Sequence, residues 1–455
     1  MYNFIAGNIL APALDFSRGT RTMKCLKELE QSQWWPRDKI VELQNQRLRQ
    51  LVRHAYSKVP YYRCLFDDRG LKPNDIESAE DLVKLPILTK QLIRNNFDNL
   101  VAQGFPAKDL VPNCTGGSTG EPLIFYSSRD DYYNWGFAAA QRAYRWAGNE
   151  LGEKCLWLRG MRPYRSKIEK LRETAARFFE RVLFLDACEL SMESLLLYVR
   201  KLDDFQPAFI RGYPNAIYLL ARFIEREGKP KLRPKAIITT SEQLYDYQRD
   251  LFSKVFGCDT YSHYTSWEVH AIASECPEHS GYHIAAENVI VEIADDEGMP
   301  VPARGEGRIL ITSLHNYAMP FIRYDIGDLG VSSDRACPCG RGLPLLTTLN
   351  GRIHDVLFTR SGKSIPALPY GFFASLGVEQ FQIVQETYER IVVKLVLDRE
   401  YPVEHLDKLT REITNQYRPL FGEDIDIIIE LVDQILPTEA GKRKFVISAL
   451  LPGGR

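Results

Sequence analysis

The chain lacks any apolar run near the about 20 residues that a membrane-spanning helix needs. It also lacks charge of one sign. Its 58 Lys and Arg against 59 Asp and Glu leave −1 at pH 7, which excludes a general pull toward nucleic acid or anionic membranes. The start, MYNFIAGNILAPALDF, is mildly apolar but has no basic leader region, so it does not read as a signal peptide. A disulfide framework is missing too: the nine cysteines are odd in number and scattered from Cys25 to Cys339. A reducing, cytoplasmic setting is expected. There is no internal repeat and no low-complexity tract. No GxxxxGKS/T phosphate loop occurs.

What is present is a soluble, globular balance, with 45% hydrophobic and 26% charged residues. At 455 residues the chain is too long for one ordinary core. The spacing of Ile40, Leu43, Leu48, Leu51, Val52, Ala55 and Val59 predicts an amphipathic helix over 37–59, stopped at Pro60. Residues 60–112 are turn-rich, with short helical pieces. From 120 to 250, apolar runs at 155–158, 182–185, 208–210 and 236–238 alternate with helical patterns at 191–203 and 213–228. That alternation predicts an α/β domain with a largely parallel sheet. Strands are expected at 289–293 and 308–312. Further on, a strand at 391–397, a helix at 403–418 and a strand at 425–431 predict a small α+β unit. The boundary is expected near 351, giving a large domain over 1–350 and a small one over 351–455.

The richest motif is Cys114-Thr115-Gly116-Gly117-Ser118-Thr119-Gly120-Glu121-Pro122. Its glycines let backbone N–H groups turn inward, and Thr115, Ser118 and Thr119 add hydroxyl donors. It reads as a triphosphate loop of a type other than the lysine-bearing one, or as an ordinary flexible turn. Downstream, Thr239-Thr240-Ser241-Glu242 follows a predicted strand, where open α/β sheets bind ligands; a helix cap by Ser241 is the plainer reading. Glu268, in Tyr264-Thr265-Ser266-Trp267-Glu268, offers an oxygen ligand for Mg²⁺ or is simply solvated. Arg323-Tyr324-Asp325-Ile326-Gly327-Asp328 offers a carboxylate for a ribose diol, or a structural turn. Gly351-Arg352-Ile353-His354-Asp355 lies where a hinge would fall. Pro437-Thr438-Glu439-Ala440-Gly441-Lys442-Arg443-Lys444 is a basic loop able to present a point charge to an oxyanion, or a solvated tail.

Cys337-Pro338-Cys339 and Cys276-Pro277-Glu278-His279 supply three thiols and an imidazole, a Cys₃His set for structural Zn²⁺. His279 is the expected fourth ligand and His283 the substitute, because 281–284 reads as a strand entry that turns His283 elsewhere. The alternative is a buried Cys276 and a reduced surface loop at 337–339.

Taken in this order, the signals resemble the adenylate-forming superfamily over about residues 30–450. The resemblance is to the phenylacetate–CoA ligase branch, and within it to the enzymes of capsule and exopolysaccharide loci and to deazaflavin-cofactor-adenylating synthetases. Gln33-Trp34-Trp35, Val59-Pro60-Tyr61-Tyr62-Arg63 and Phe381-Gln382-Ile383-Val384-Gln385 are typical of that branch. The fold it implies is α/β, a large N-terminal adenylate-forming domain with a small mobile C-terminal domain. By this resemblance Thr115, Gly116, Gly117, Ser118, Thr119 and Gly120 grip the β- and γ-phosphates of ATP. Ser241, Glu242, Tyr261, His263, Tyr264 and Thr265 line the adenine slot. Glu268 holds Mg²⁺, Asp328 takes the ribose hydroxyls with Arg352 close by, and Lys442 stabilises the first half-reaction. His354 stands at the hinge. Thr119, Glu268 and Lys442 are the expected catalytic residues, and some members of the branch carry the zinc site.

Gly116, Thr265, Trp267 and His354 depart from the usual pattern, but Glu268, Asp328 and Lys442 are all present. The implied activity is attack of a carboxylate on the α-phosphorus of ATP, loss of pyrophosphate, and transfer of the acyl group to CoA or a carrier thiol. Two alternatives stay open: an adenylyltransferase that stops at the AMP adduct, and a nucleotide-binding partner of polysaccharide assembly without turnover. Pocket walls are expected at 135–144, 159–164, 211–214 and 263–267. Their aromatics suggest an aryl acid, while Arg159 and Arg211 suit a second acid group. A homodimer is compatible with the resemblance.

Overall fold

The computed structural model describes residues 2–115, 123–160, 167–187, 190, 192–352, 356–359, 364–366, 373, 377–397, 401–422, 424–436, 446–448 and 450. Its frame is one eleven-stranded sheet that changes character halfway. On one side β3 (Cys155–Arg159), β4 (Val182–Asp186), β5 (Phe209–Gly212), β6 (Ala236–Thr240) and β7 (Asp259–Ser266) run parallel in the order 4-3-5-6-7. Apolar strand runs alternating with helices produce this half. The helix Met192–Phe205 follows β4, Pro214–Glu227 follows β5 and Asp246–Phe256 follows β6. Pro214 opens its helix at the first position. Gly228 closes it at φ 67°, a left-handed cap that suits glycine.

On the other side β8 (His270–Glu275), β9 (Tyr282–Ile284), β13 (Leu345–Arg352), β12 (Tyr324–Ser333), β11 (Glu306–Ser313) and β10 (Val289–Ala294) continue the sheet antiparallel. The reversal falls at β7, which pairs parallel with β6 and antiparallel with β8. A separate hairpin, β1 (Leu110–Cys114) and β2 (Ile124–Ser128), flanks the glycine-rich run. After β14 (Val356–Phe358) and β15 (Ser364–Pro366), a four-stranded sheet forms. It comprises β16 (Val378–Thr387), β17 (Arg390–Leu397), β18 (Asp426–Leu431) and β19 (Val446–Ser448), in the order 18-17-16-19. The amphipathic helix Leu406–Phe421 buries Leu409, Ile413 and Tyr417 against its core. The fold is thus α/β with a C-terminal α+β part, as expected. Among the described residues no helix is long and apolar enough to cross a membrane.

The helical cover is fastened to the sheet by a buried ion pair. Arg142, on the helix Phe137–Trp146, donates from Nη1 to Glu287 Oε1 at 2.6 Å and from Nη2 to Oε2 at 3.1 Å. Ser32 Oγ adds a donor to Oε1 at 2.5 Å, and Arg142 Nη1 also reaches the Leu29 carbonyl. Both charged side chains are at most 2% exposed. Burial works to raise the Glu287 carboxyl, but Arg142 outweighs it and holds the group below its usual range. Arg47, on the helix Arg37–Lys58, donates to the Glu287 carbonyl and lies over Trp135, which also stacks on His315 at 4.2 Å.

This network joins three helices to the turn before β10. Removing one charge strands the other in an apolar setting. Glu287→Ala should therefore cost about 3–5 kcal/mol of stability in a denaturant titration; a loss under about 1 kcal/mol would show that the pair is dispensable.

Candidate active site

The site lies where β7 ends and the sheet reverses. Tyr264, near the end of β7, donates its hydroxyl to Asp328 Oδ2 on β12 at 2.6 Å. Tyr324, also on β12, donates to Glu268 Oε1 at 2.8 Å, just past the end of β7. In sheet order β8, β9 and β13 stand between β7 and β12. In a flat sheet that is four spacings of about 4.8 Å, near 19 Å. Two phenol side chains span the gap, so the antiparallel half is curled back over the end of the parallel half.

Both carboxylates are thereby held in place. Glu268 is 5% exposed, and the phenol of Tyr324 is pushed well up by burial and by Glu268 beside it. Glu268 Oε2 has no hydrogen bond among the described residues, which leaves one oxygen for a cation. Asp328 faces Arg352 in register across β12 and β13; the Arg352 side chain lies outside what is described. Thr265 shares a 2.8 Å hydroxyl contact with Thr240 at the end of β6. Ser241 follows immediately in the left-handed region at φ 69°, which a serine adopts only under local constraint. It caps no helix, since the next one begins at Asp246 with Tyr245 as its cap. Glu242 Oε2 accepts from the Asn215 backbone at 3.3 Å.

The aromatic run 261–264 does not act as one wall. Strand alternation puts Tyr261 and His263 on the face opposite Tyr264. Tyr261 packs with Cys155, Phe209, Ala236 and Ile238. The slot expected to be lined by all of them is therefore split between two faces of β7. Thr115 sits at the mouth of the β1–β2 hairpin: its N–H donates to the Leu123 carbonyl, and its hydroxyl accepts from the Leu123 N–H at 2.9 Å. Gly116, Gly117, Ser118, Thr119, Gly120, His354 and Lys442 lie outside the described residues.

A second cluster lies away from these carboxylates. Cys276, His283, Cys337 and Cys339 bring one ligand atom each to within 4.8 Å of one another. The sulfurs of Cys276 and Cys337 are 3.6 Å apart, and His283 Nε2 is 3.3 Å from Cys339 Sγ. A tetrahedral zinc ion sets sulfur ligands about 3.8 Å apart and a sulfur–nitrogen pair about 3.6 Å apart, so the set fits. Burial and then the Arg341 charge push His283 down to about 4, which keeps it in the neutral, ligating form. The expectation for His279 differs from the structure. Its Nδ1 points to Glu275 at 3.7 Å and its ring tilts on Tyr261, with a third of the side chain exposed. His279 follows Cys276 by a single turn that leads it off the sheet, whereas β9 pairs with β8 and β13 and carries His283 between the two thiol loops.

Tyr324 was missed as a site residue. No local signal marks it, because its partner Glu268 is 56 positions away.

Comparison with known proteins finds a family, two relatives and two solved structures similar to this chain. The family described as the CapK C-terminal domain matches residues 368–449. Protein CapK of Staphylococcus aureus is 25% identical over 426 residues, 90% of this chain and 89% of that one. The phenylacetate-coenzyme A ligase of Escherichia coli strain K12 is 28% identical over 341 residues, 72% of this chain and 75% of that one. Among solved structures, 2-hydroxyisobutyryl-CoA ligase in the postadenylation state superimposes with a TM-score of 0.74 at 21% identity, over 92% of this chain and 91% of that one. The anthranilate CoA ligase AuaEII follows at 0.51 and 17%. The fold is that of the adenylate-forming ligases. The resemblance read from the motifs is borne out for that superfamily and for its phenylacetate–CoA ligase-like branch, with CapK among the relatives.

The Tyr324 hydroxyl is buried against a carboxylate. Tyr324→Phe should cost about 1–3 kcal/mol of stability by losing a hydrogen bond to a charged group. Thermal or denaturant unfolding reads this, and an unchanged midpoint would mean that Glu268 finds another donor.

Proposed function

We propose that this chain is an ATP-dependent, AMP-forming ligase. It activates a carboxylic acid as an acyl-adenylate with release of pyrophosphate, then passes the acyl group to CoA or another thiol. The observation that carries this reading is the pair of carboxylates, Glu268 and Asp328, each fixed by a tyrosine at the reversal of the sheet. A phosphoryl-type transfer asks little covalent help of a protein; placement and charge neutralisation supply the rate. Two rigid carboxylates of separate task suit that demand.

In this reading the acid's carboxylate attacks the α-phosphorus in line with the departing pyrophosphate. Glu268 has one oxygen held by Tyr324 and the other available to Mg²⁺, a cation bound in nucleotide sites by one or two carboxylates plus phosphate. Mg²⁺, when bound, neutralises phosphate charge. Asp328, positioned by Tyr264, takes the ribose hydroxyls. Thr115 anchors the base of the loop, and Gly116, Gly117, Ser118, Thr119 and Gly120 cradle the phosphates. Lys442 supplies a positive charge to the oxygens that develop charge, with His354 at the turning point between the two half-reactions. The large unit ends near 350 and the small one follows.

The Cys276, His283, Cys337 and Cys339 cluster is read as a structural zinc site, closed by four protein ligands and therefore not catalytic. It ties β8, β9 and the loop between β12 and β13, which steadies the curl that brings Asp328 to Tyr264.

Two measurements test these assignments. Acid-dependent ATP–pyrophosphate exchange should fall about 10²–10³-fold in Lys442→Ala and by about 10² in Glu268→Gln. Exchange retained in both variants would reject the assigned roles, and no exchange with aryl, aliphatic or hydroxy acids would reject acid activation. CoA consumption then separates the ligase from an enzyme that stops at the AMP adduct. Metal analysis should find about one zinc per chain, lost in Cys339→Ser and in His283→Ala and kept in His279→Ala. Full zinc in the His283 variant would overturn the ligand set.

A further inference from the structure

The parallel half of the sheet turns one face toward the helix Phe137–Trp146. Trp157 on β3, Arg211 on β5, Ile238 on β6 and Tyr261 on β7 form one row of that face, each in register with the next. Thr240 and His263 are paired in register two residues further along. Arg211 is 9% exposed. Its guanidinium carbon lies 4.7 Å from the ring centre of Tyr144 and 5.0 Å from that of Trp157. Its Nε donates to the Cys155 sulfur at 3.0 Å. Among the described residues no carboxylate forms an ion pair with it.

That is anomalous for this molecule. The other deeply buried arginines are paired, Arg142 with Glu287 and Arg323 with Glu292. A cation contact with aromatic faces offsets only part of the cost of taking a charge out of water. Two rings and a neutral thiol leave Arg211 short of a partner.

A second unsatisfied group stands beside it. His263 is 3% exposed and its Nδ1 lies 2.5 Å from Ser274 Oγ, whose hydroxyl can donate to it and leave the ring proton on Nε2, which is buried with no hydrogen bond among the described residues. Its ring meets the same Tyr144 edge-on at 5.4 Å. Burial and then the Arg211 charge push the imidazole down to about 3, so it is neutral here. A guanidinium and an imidazole nitrogen that carries the proton in that tautomer thus flank one phenol ring. The register sets Arg211 level with Tyr261, three residues or about 10 Å behind Tyr264 along β7. Tyr264 projects from the other face of β7, so the two places communicate around the strand ends, where open α/β sheets bind ligands.

We infer that Arg211, with His263 Nε2 beside it, binds a second carboxylate on the acid substrate, so that the enzyme selects acids charged at both ends. This rests on the ligase reading above for the end that is activated. With Nε engaged by Cys155, the two Nη groups remain as a planar fork, the geometry that matches a carboxylate.

The test is calorimetric titration of the full chain with Mg²⁺ and a non-hydrolysable ATP analogue. Matched acids are compared: succinate with butyrate, glutarate with pentanoate, and 4-carboxyphenylacetate with phenylacetate. The dicarboxylate of at least one pair should bind about 10- to 100-fold more tightly than its monoacid. Arg211→Met should abolish that gap. Arg211→Lys, which keeps the charge and loses the fork, should narrow it, and decides the matter should the methionine variant not fold. Equal binding within every pair, no binding of any acid, or a gap that survives in these variants would overturn the inference. Because binding is read without turnover, a dicarboxylate preference with no pyrophosphate exchange would reject acid activation and leave this subsite standing. Exchange confined to monoacids would do the reverse.

Discussion

Everything at the candidate site depends on how far the antiparallel half of the sheet curls. Strands four spacings apart cannot touch in a flat sheet, yet Tyr264 reaches Asp328 and Tyr324 reaches Glu268. The curl has local sources. β12 shifts register against both neighbours near Asp328, and β7 shifts against β8 between Tyr264 and Thr265. Such irregularities increase twist and bend a strand. They occur beside the residues that must be re-aimed. The tyrosine hydroxyls then lock the bend by satisfying carboxylates that would otherwise be buried at a cost.

Placement of buried charge divides the molecule into parts that are complete and parts that await a ligand. Arg142 with Glu287 and Arg323 with Glu292 are paired, and each holds a helix or loop to the sheet. Glu268 is half complete, one oxygen taken and one available. Arg211 and His263 are incomplete on the same face of the parallel half. Glu268, Arg211 and His263 lie around the reversal at β7 and on the strands beside it, where an open α/β sheet has its ligand crevice.

The chain's own pattern was enough for the parallel half and for the amphipathic helices. Apolar runs at 155–158, 182–185 and 236–238 became β3, β4 and β6, and the pattern over 37–59 became Arg37–Lys58. Those elements depend on spacing within ten or twenty residues, which is where hydrophobic periodicity acts. The C-terminal helix was placed at 403–418 and lies at Leu406–Phe421, a shift at a frayed 3₁₀ entry, Val403–His405. The antiparallel strands β8, β9, β12 and β13 were less legible. They are short, bulged or two-sided, and β9 finds one of its partners, β13, only far along the chain, with Leu345 opposite His283.

The site shows the same division. Residue type alone made Glu268, Asp328 and the three thiols of Cys276, Cys337 and Cys339 candidates, because few other side chains can hold a cation, a diol or a soft metal. Which partner each would meet could not be read along the chain. His283 replaced His279 because sheet pairing, not proximity to Cys276, carries an imidazole between the thiols. Tyr324 joined Glu268, and Tyr261 parted from Tyr264, because a strand sends alternate side chains to opposite faces and a curled sheet joins faces that sequence order keeps apart. The sequence by itself determined the chemical inventory and the local elements. Tertiary structure alone decided which groups meet, since contacts between distant strands depend on register and curvature, and neither quantity is encoded within any single segment.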